Sequence, residues 1–168
     1  GKVWALDIHK HKVKLIEENA NKLGLISKVS AKQLDARKAI TEFDLEKFDK
    51  ILVDAPCSGL GLMRRKPEVK YEKKLVDSYS LHDIQVNILE KVAPLLKKGG
   101  YLTYSTCTIL NIENQKVIDD FLKKHPEFVQ EKTYTKNKLK DERDTLSLTI
   151  YPDDYMSDGF FIATLRKK

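Results

Sequence analysis

Short runs with strand character alternate with amphipathic segments along most of this sequence, and the first three runs are each followed by an aspartate. These three runs, each with its aspartate, are 3–6 with Asp7, 28–34 with Asp35 and 51–53 with Asp54. Strands separated by helices are typical of a sheet whose two faces are both covered. The pattern therefore predicts an α/β fold with a mostly parallel sheet, in which ligands bind beyond the carboxyl ends of the strands.

The rest of the chain continues this alternation. Helices are predicted where apolar residues recur at helical spacing, over 13–23 before Gly24, over 81–95 with a stop at Gly99 and Gly100, and from 111 to before Pro126. Further strands are predicted at 101–106, 146–150 and 160–165, and a polar surface loop at 132–144. Cys107 follows a strand end, so we expect it at the same edge of the sheet as the aspartates.

Composition limits the class of protein. The 168 residues, 41% of them hydrophobic, are enough for one globular domain with a buried core. The sequence contains no apolar run long enough for a membrane span and no signal-peptide layout at its start, which predicts a cytoplasmic protein without a membrane partner. Two distant cysteines and four scattered histidines form neither a disulfide framework nor a metal-ligand spacing, so no metal is predicted.

Two segments carry the most specific information, namely Asp-Ala-Pro-Cys-Ser-Gly at 54–59 and Tyr-Ser-Thr-Cys at 104–107. Further motifs in the same order are Arg-Arg-Lys-Pro-Glu-Val-Lys-Tyr at 64–71, Gly-Gly at 99–100, Glu-Asn at 113–114 and Asp-Gly-Phe-Phe at 158–161. From Val3 to its end the chain resembles the RNA cytosine-5 methyltransferases of the Nop2/Sun type, and within them the bacterial enzymes for small-subunit ribosomal RNA. The resemblance implies a Rossmann-like fold that uses S-adenosylmethionine.

The resemblance also implies roles for the two cysteines. Cytosine C5 is a weak nucleophile, and a thiolate that adds to C6 makes C5 electron-rich. The resemblance gives this attack to Cys107, release of the product to Cys57, and contact with the N3 and N4 edge of cytosine to Asp54. A position after a strand and before a helix predicts that backbone N–H groups and the helix dipole favour the Cys107 thiolate. Taken singly, either cysteine is better explained as a small buried apolar side chain, whereas the pair in these two motifs favours a catalytic role.

Residues for the methyl donor are expected at the strand ends. Asp7 suits the ribose hydroxyls, since an acidic residue at such a position commonly accepts them. The resemblance places Asp35 near the adenine and adds Asp54 and Pro56 to the contacts with S-adenosylmethionine. Each of the first two aspartates is also compatible with a turn or a helix cap.

A basic cluster follows the first cysteine motif and predicts contact with RNA phosphates. Its members are Arg64, Arg65, Lys66 and Lys70, with Lys73 and Lys74 beyond them. The net charge of +6 permits an anionic partner, but the lysines are spread through most of the chain, and a solvated basic loop is the alternative. The resemblance implies 16S ribosomal RNA, with the target cytosine unpaired or flipped out of a helix.

The resemblance further implies that residues 1–168 are the C-terminal part of a catalytic domain. A donor loop of the Ala-Pro-Gly-Gly-Lys type and an N-terminal RNA-binding region are expected before Val3, together with the first strand and helix of the fold. Alone, the chain is then expected to bind the donor weakly and to be inactive, and a noncatalytic RNA-binding module is the alternative function. A nicotinamide-dependent oxidoreductase is disfavoured, because Arg64 stands where a glycine fingerprint starting at Gly59 needs its third glycine.

Overall fold

The computed structural model describes residues 1–68, 75–141 and 143–168. Its strands are β1 (Val3–Asp7), β2 (Val29–Gln33), β3 (Phe48–Asp54), β4 (Leu96–Thr106), β5 (Phe128–Glu131), β6 (Leu148–Ile150) and β7 (Phe160–Lys167). Its helices are α1 (Lys10–Lys22), α2 (Leu75–Val92), α3 (Gln115–Lys124) and α4 (Pro152–Tyr155), with short 3-10 helices at Ala36–Thr41, Leu60–Leu62, Ala93–Leu95 and Asn111–Glu113. The predicted alternation of strands and helices is confirmed.

The strands form two sheets. β1 and β2 pair in parallel, and the second sheet has the order β3-β4-β7-β5, with β6 also paired to β7. β3 and β4 are parallel, whereas β7 is antiparallel to β4, β5 and β6. All strands of the larger sheet except β7 therefore run in one direction, so the prediction of a mostly parallel sheet is confirmed.

The end of α2 differs from the prediction. The helix was expected to continue to residue 95 and to stop at the glycine pair, but it ends at Val92 and a 3-10 turn contains Pro94. Proline lacks the N–H that an α-helix needs at this point. Gly99 and Gly100 lie inside β4, where Gly99 has a φ of +75° and a Cβ on Gly100 would lie 2.9 Å from the Asp49 carbonyl oxygen. The glycines therefore shape the strand.

One apolar core lies between the larger sheet and helices α2 and α3. Its fully buried members include Leu89 of α2, Leu102 and Tyr104 of β4, Phe121 of α3 and Phe161 of β7. Val117 and Ile118 of α3 lie in the same core, as their helical spacing predicts. This packing fixes the two strands, β3 and β4, whose carboxyl ends carry the cysteine loops. Within the described residues, no helix is long and apolar enough to cross a membrane.

Candidate active site

The two cysteines lie side by side beyond the carboxyl ends of β3 and β4. These strands are parallel neighbours, and Asp54, the last residue of β3, pairs with Ser105 near the end of β4. The loops that follow bring the Sγ atoms of Cys57 and Cys107 to 3.1 Å, and both side chains are half-buried. The Ser105 hydroxyl donates to Asp54 Oδ1 at 2.9 Å and orients this carboxylate at the same edge. The structure thus brings together the three predicted catalytic residues.

The thiol–thiol contact makes the two cysteines chemically different. A hydrogen bond from Cys57 stabilises the Cys107 thiolate and lowers the pKa of Cys107 to about 7, although burial and the charges of Asp54 and Glu113 oppose this change. The same contact, together with burial, raises the pKa of Cys57. The contact therefore favours the thiolate at Cys107 and the neutral, donating thiol at Cys57. The sequence predicted thiolate stabilisation by the backbone and the helix dipole and missed the Cys57 thiol, which is the largest contributor.

Three buried polar residues around the cysteines were missed as site residues. Gln85 of α2 donates through Nε2 to the Pro56 carbonyl oxygen at 2.8 Å, and Glu113 accepts from the Ser58 N–H at 2.7 Å. Asn114 contacts the residues on both sides of Cys107. The Glu-Asn motif could have indicated Glu113 and Asn114 as site residues, whereas Gln85 lies in no motif and the sequence gives no signal for it.

Two glycines allow a close approach of backbones beside Cys107. The Gly61 N–H donates to the Cys107 carbonyl oxygen at 3.0 Å, and the Gly159 N–H donates to the Gly61 carbonyl oxygen at 2.8 Å. A Cβ on Gly61 would overlap the Gly159 carbonyl and lie 2.8 Å from the Cys107 oxygen. Gly159 of the Asp-Gly-Phe-Phe motif and Gly61, which lies in none of the motifs, thus support the cysteine loop.

The aspartates expected to bind the donor are divided between the sheets. Asp7 lies at the end of β1 and Asp35 just after β2, whereas Asp54 belongs to the larger sheet. Asp7 Oδ1 accepts from the His9 N–H at 2.8 Å, Oδ2 lies 3.7 Å from Lys12 Nζ, and the side chain is 24% exposed. Its contact with the ribose stays a prediction. Asp35 caps a 3-10 helix and binds the Arg37 guanidinium, which lowers the pKa of Asp35. Its contact with adenine stays a prediction.

The predicted RNA-binding residues differ in their surroundings. Arg64 and Lys66 are exposed, whereas Arg65 forms an ion pair with Asp158, with Nε at 3.1 Å from Oδ1. Lys70, with Lys73 and Lys74, lies outside the described residues. In the part of the chain that the structure describes, no group of three or more His, Cys, Asp or Glu residues is arranged to hold a metal ion.

Known proteins resemble this chain in sequence and in fold. It is 50% identical over 171 residues to the probable ribosomal RNA small subunit methyltransferase B of Bacillus subtilis, covering 100% of the chain and 38% of that protein. The ribosomal RNA small subunit methyltransferase B of Photorhabdus laumondii is 37% identical over 168 residues, of which the chain covers 37%. The chain therefore spans less than two fifths of the length of these relatives.

Solved structures show the same fold. NSun6 from Pyrococcus horikoshii, solved with SFG, matches with a TM-score of 0.83 and 30% identity over 99% of this chain and 41% of that protein. The fold is thus the Rossmann-like fold of methyltransferases that use S-adenosylmethionine. A model of the family described as 16S rRNA methyltransferase RsmB/F matches residues 1–166. With its two cysteines in contact on this fold, the chain belongs to the RsmB/F family of 16S rRNA methyltransferases.

Proposed function

We propose that this chain forms the nucleophile half of an S-adenosylmethionine-dependent enzyme that methylates C5 of a cytosine in 16S ribosomal RNA. The observation that carries the proposal is the contact of 3.1 Å between the Cys57 and Cys107 sulfurs, with the Asp54 carboxylate at the same sheet edge. A buried structural cysteine has no need of a thiol donor or of a pKa lowered to about 7. The names of the relatives support ribosomal RNA as the substrate.

The proposed reaction begins at Cys107. Its thiolate adds to C6 of the cytosine, the Sγ–C6 bond forms, and the electron pair of the C5–C6 double bond moves to C5. Asp54 contacts the N3 and N4 edge and stabilises the charge that develops in the ring. S-adenosylmethionine, when bound, supplies an electrophilic methyl group to C5, and Asp7 is the residue best suited to hold its ribose, with Asp35 and Pro56 as further predicted contacts.

Release is the proposed task of Cys57. A solvent water takes the C5 proton, the C5–H electron pair restores the C5–C6 double bond, and the Sγ–C6 bond breaks to release the Cys107 thiolate. A neutral thiol at 3.1 Å stabilises this leaving thiolate by the same hydrogen bond that lowers the pKa of Cys107 in the resting site. The target cytosine must be unpaired or flipped out, since stacked bases shield C6 from a thiol.

Trapping on RNA that contains 5-fluorocytosine tests the assignment. Fluorine at C5 cannot leave as a proton does, so the enzyme should remain bound to the RNA through Cys107. In a protein that carries this sequence at the length of its relatives, Cys107→Ser should abolish both methylation and trapping. Cys57→Ala should instead accumulate a methylated RNA adduct. Trapping by Cys107→Ser would reverse the assignment of the nucleophile, and normal turnover by Cys57→Ala would exclude a release role for Cys57.

RNA binding without methyl transfer is the second candidate function, and the exposed Arg64 and Lys66 favour it. Each phosphate contact that is lost should flatten the dependence of binding on salt. Arg64→Ala is the better variant, because Arg65→Ala also releases Asp158 from its ion pair. A flatter salt slope with no methylation by the unsubstituted protein would support a binding module, and an unchanged slope would exclude phosphate contact by Arg64.

A further inference from the structure

Two adjacent residues after β4, Glu113 and Asn114, contact both cysteine loops. Their side chains are polar, yet the residues are only 0% and 3% exposed. Burial of such side chains costs free energy unless their hydrogen bonds are made inside the protein. The groups that bind them therefore indicate what this pair contributes to the site.

Glu113 holds the loop of Cys57. Its Oε2 atom accepts from the Ser58 N–H at 2.7 Å, and this charge-assisted bond fixes the residue that follows the cysteine. Gln85, which is 0% exposed, donates to the carbonyl oxygen of Pro56 at 2.8 Å, and its Nε2 lies 3.5 Å from the same Glu113 oxygen. The residues on both sides of Cys57 are thus fixed by buried side chains.

Asn114 holds the loop of Cys107 in the same way. Its Oδ1 atom accepts from the Thr106 hydroxyl at 2.5 Å, and its Nδ2 atom donates to the Thr108 carbonyl oxygen at 3.0 Å. One amide therefore spans the residues on both sides of Cys107. The Ser58 and Thr108 hydroxyls, 2.9 Å apart, join the two loops directly.

We propose that Glu113 and Asn114 are positioning residues that keep the Cys57 and Cys107 thiols within hydrogen-bond distance. Because Glu113 and Asn114 are consecutive, the two loops are supported by one short segment. The buried Tyr104 hydroxyl anchors this segment by donating to the Glu113 carbonyl oxygen at 2.6 Å. The catalytic meaning of this support rests on the proposed function, since it maintains the thiolate of the nucleophile.

The direction in which the pKa of Cys107 changes when the Glu113 carboxylate is removed distinguishes a positioning role from a role through charge alone. The Glu113 charge by itself raises the pKa of Cys107, so a role through charge alone predicts a lower pKa when the carboxylate is removed. Positioning predicts the opposite, because the Cys57 hydrogen bond lowers this pKa more strongly than the Glu113 charge raises it. A role in folding alone predicts no change in the folded variant.

The test is the rate at which iodoacetamide alkylates Cys107 at different pH values, with the modified site identified by mass spectrometry. Glu113→Ala and Asn114→Ala should each raise the midpoint of this profile by about one unit, which lowers the rate at pH 7 about fivefold. Glu113→Gln retains an acceptor oxygen for the Ser58 N–H and should largely restore the profile. Gln115→Ala is the matched control, since Gln115 contacts Asp119 and Gln130 and should leave the profile unchanged.

If Glu113→Ala or Asn114→Ala does not fold, a milder substitution provides the same test. Ser58→Ala removes one hydroxyl from the bridge between the loops and should raise the midpoint in the same direction by a smaller amount. An unchanged or lowered midpoint in the folded alanine variants of Glu113, Asn114 and Ser58 would overturn the proposal. The alkylation assay needs neither RNA nor methyl donor. If the variants shift the pH profile of Cys107 as expected but the unsubstituted protein transfers no methyl group, the proposed function is overturned and the positioning role is not.

Discussion

At the scale of single residues, the Cys57 thiol gives two chemically identical side chains different properties. Cys57 contacts Cys107 through sulfur and keeps its own proton, because deprotonation of both would place two negative charges 3.1 Å apart. Cys107 accepts the hydrogen bond from Cys57 and therefore has the lower pKa of the pair. We expect the reactivity of Cys107 to depend on an intact Cys57.

Replacement of Cys57 should change the pH dependence of Cys107. The pKa of Cys107 is lowered from 9.0 to about 7, so its thiolate, and with it the alkylation rate, increases as pH rises through 7. Without the donor, Cys57→Ala should move this midpoint upward, toward the ordinary value. Cys57→Ser retains a hydroxyl donor and should give an intermediate midpoint. A midpoint near 7 in the alanine variant would show that the backbone alone stabilises the thiolate.

Gly61→Ala should disturb the Cys107 loop from its far side. The added Cβ overlaps the Gly159 carbonyl and crowds the Cys107 oxygen, so the backbones must separate at a cost of about 2 kcal/mol in the free energy of unfolding. Denaturant unfolding measures the cost, and slower alkylation of Cys107 would report the displaced loop. Gly24→Ala is the control, because its φ of +69° is strained by a side chain while no atom lies within 4 Å of the new Cβ. It should leave Cys107 reactivity unchanged.

The sequence predicted that Cys57, Cys107 and Asp54 lie at one sheet edge, but it did not predict the residues that support them. Cys57, Cys107 and Asp54 stand in motifs, and parallel strands bring strand-end residues to one edge. Glu113 instead binds a backbone N–H that is 55 positions away, and no local pattern encodes such a pairing. A buried carboxylate that bonds to a loop becomes recognisable only when the fold is known.

At the scale of elements, prediction succeeded where apolar periodicity is long. Helix α1 and strands β1, β3 and β7 lie where their patterns place them. β5 and α4, of four residues each, were not predicted. The segment 132–144 was predicted as a loop, and its described residues contain no helix or strand.

An ion pair between Arg143 and Asp154 holds this loop against α4, and removal of the ion pair should lower the free energy of unfolding. The Arg143 guanidinium donates twice to Asp154 at 3.0 Å, and the Asp154 side chain is 0% exposed and also accepts from the Tyr151 N–H. Asp154→Asn leaves a largely buried guanidinium without its counter-charge and should cost about 2 kcal/mol. Asp153→Asn is the control, since its pair with Lys140 is exposed and contributes little.

The pH dependence of this effect follows from the pKa of Asp154, which Arg143 lowers in the folded state. A carboxylate with a lowered folded-state pKa stabilises the protein above its unfolded-state pKa, and the stabilisation is lost as pH falls through the folded-state value. The stability difference between the wild type and Asp154→Asn should thus be largest near neutral pH and shrink in acid. Thermal unfolding across pH measures it, and a constant difference would assign the effect to packing.

At the scale of the whole molecule, the two sheets are joined by side chains. β1 and β3 belong to different sheets and share no strand pairing within the described residues. Trp4 of β1 instead meets Phe43 edge to face, with ring centroids 5.3 Å apart, and Phe43 meets Phe48 of β3 at 5.1 Å. Since Asp7 and Asp54 lie on different sheets, this aromatic junction contributes to the relative position of the proposed donor-binding and nucleophile residues.

The aromatic junction can be tested with Trp4, since the sequence contains one tryptophan. Phe43 is 9% exposed, and Phe43→Leu removes both ring contacts while keeping an apolar side chain, at a cost of about 1 kcal/mol. Trp4 emission should shift to longer wavelength and its quenching by acrylamide should increase, whereas alkylation of Cys107, on the other sheet, should keep its pH profile. Phe128→Leu, which removes an edge-to-face contact with Phe121 elsewhere in the core, is the matched control and should leave Trp4 emission unchanged. If Phe43→Leu alters Trp4 emission and Cys107 reactivity together, the two sheets move as one unit and the junction is not a separable element.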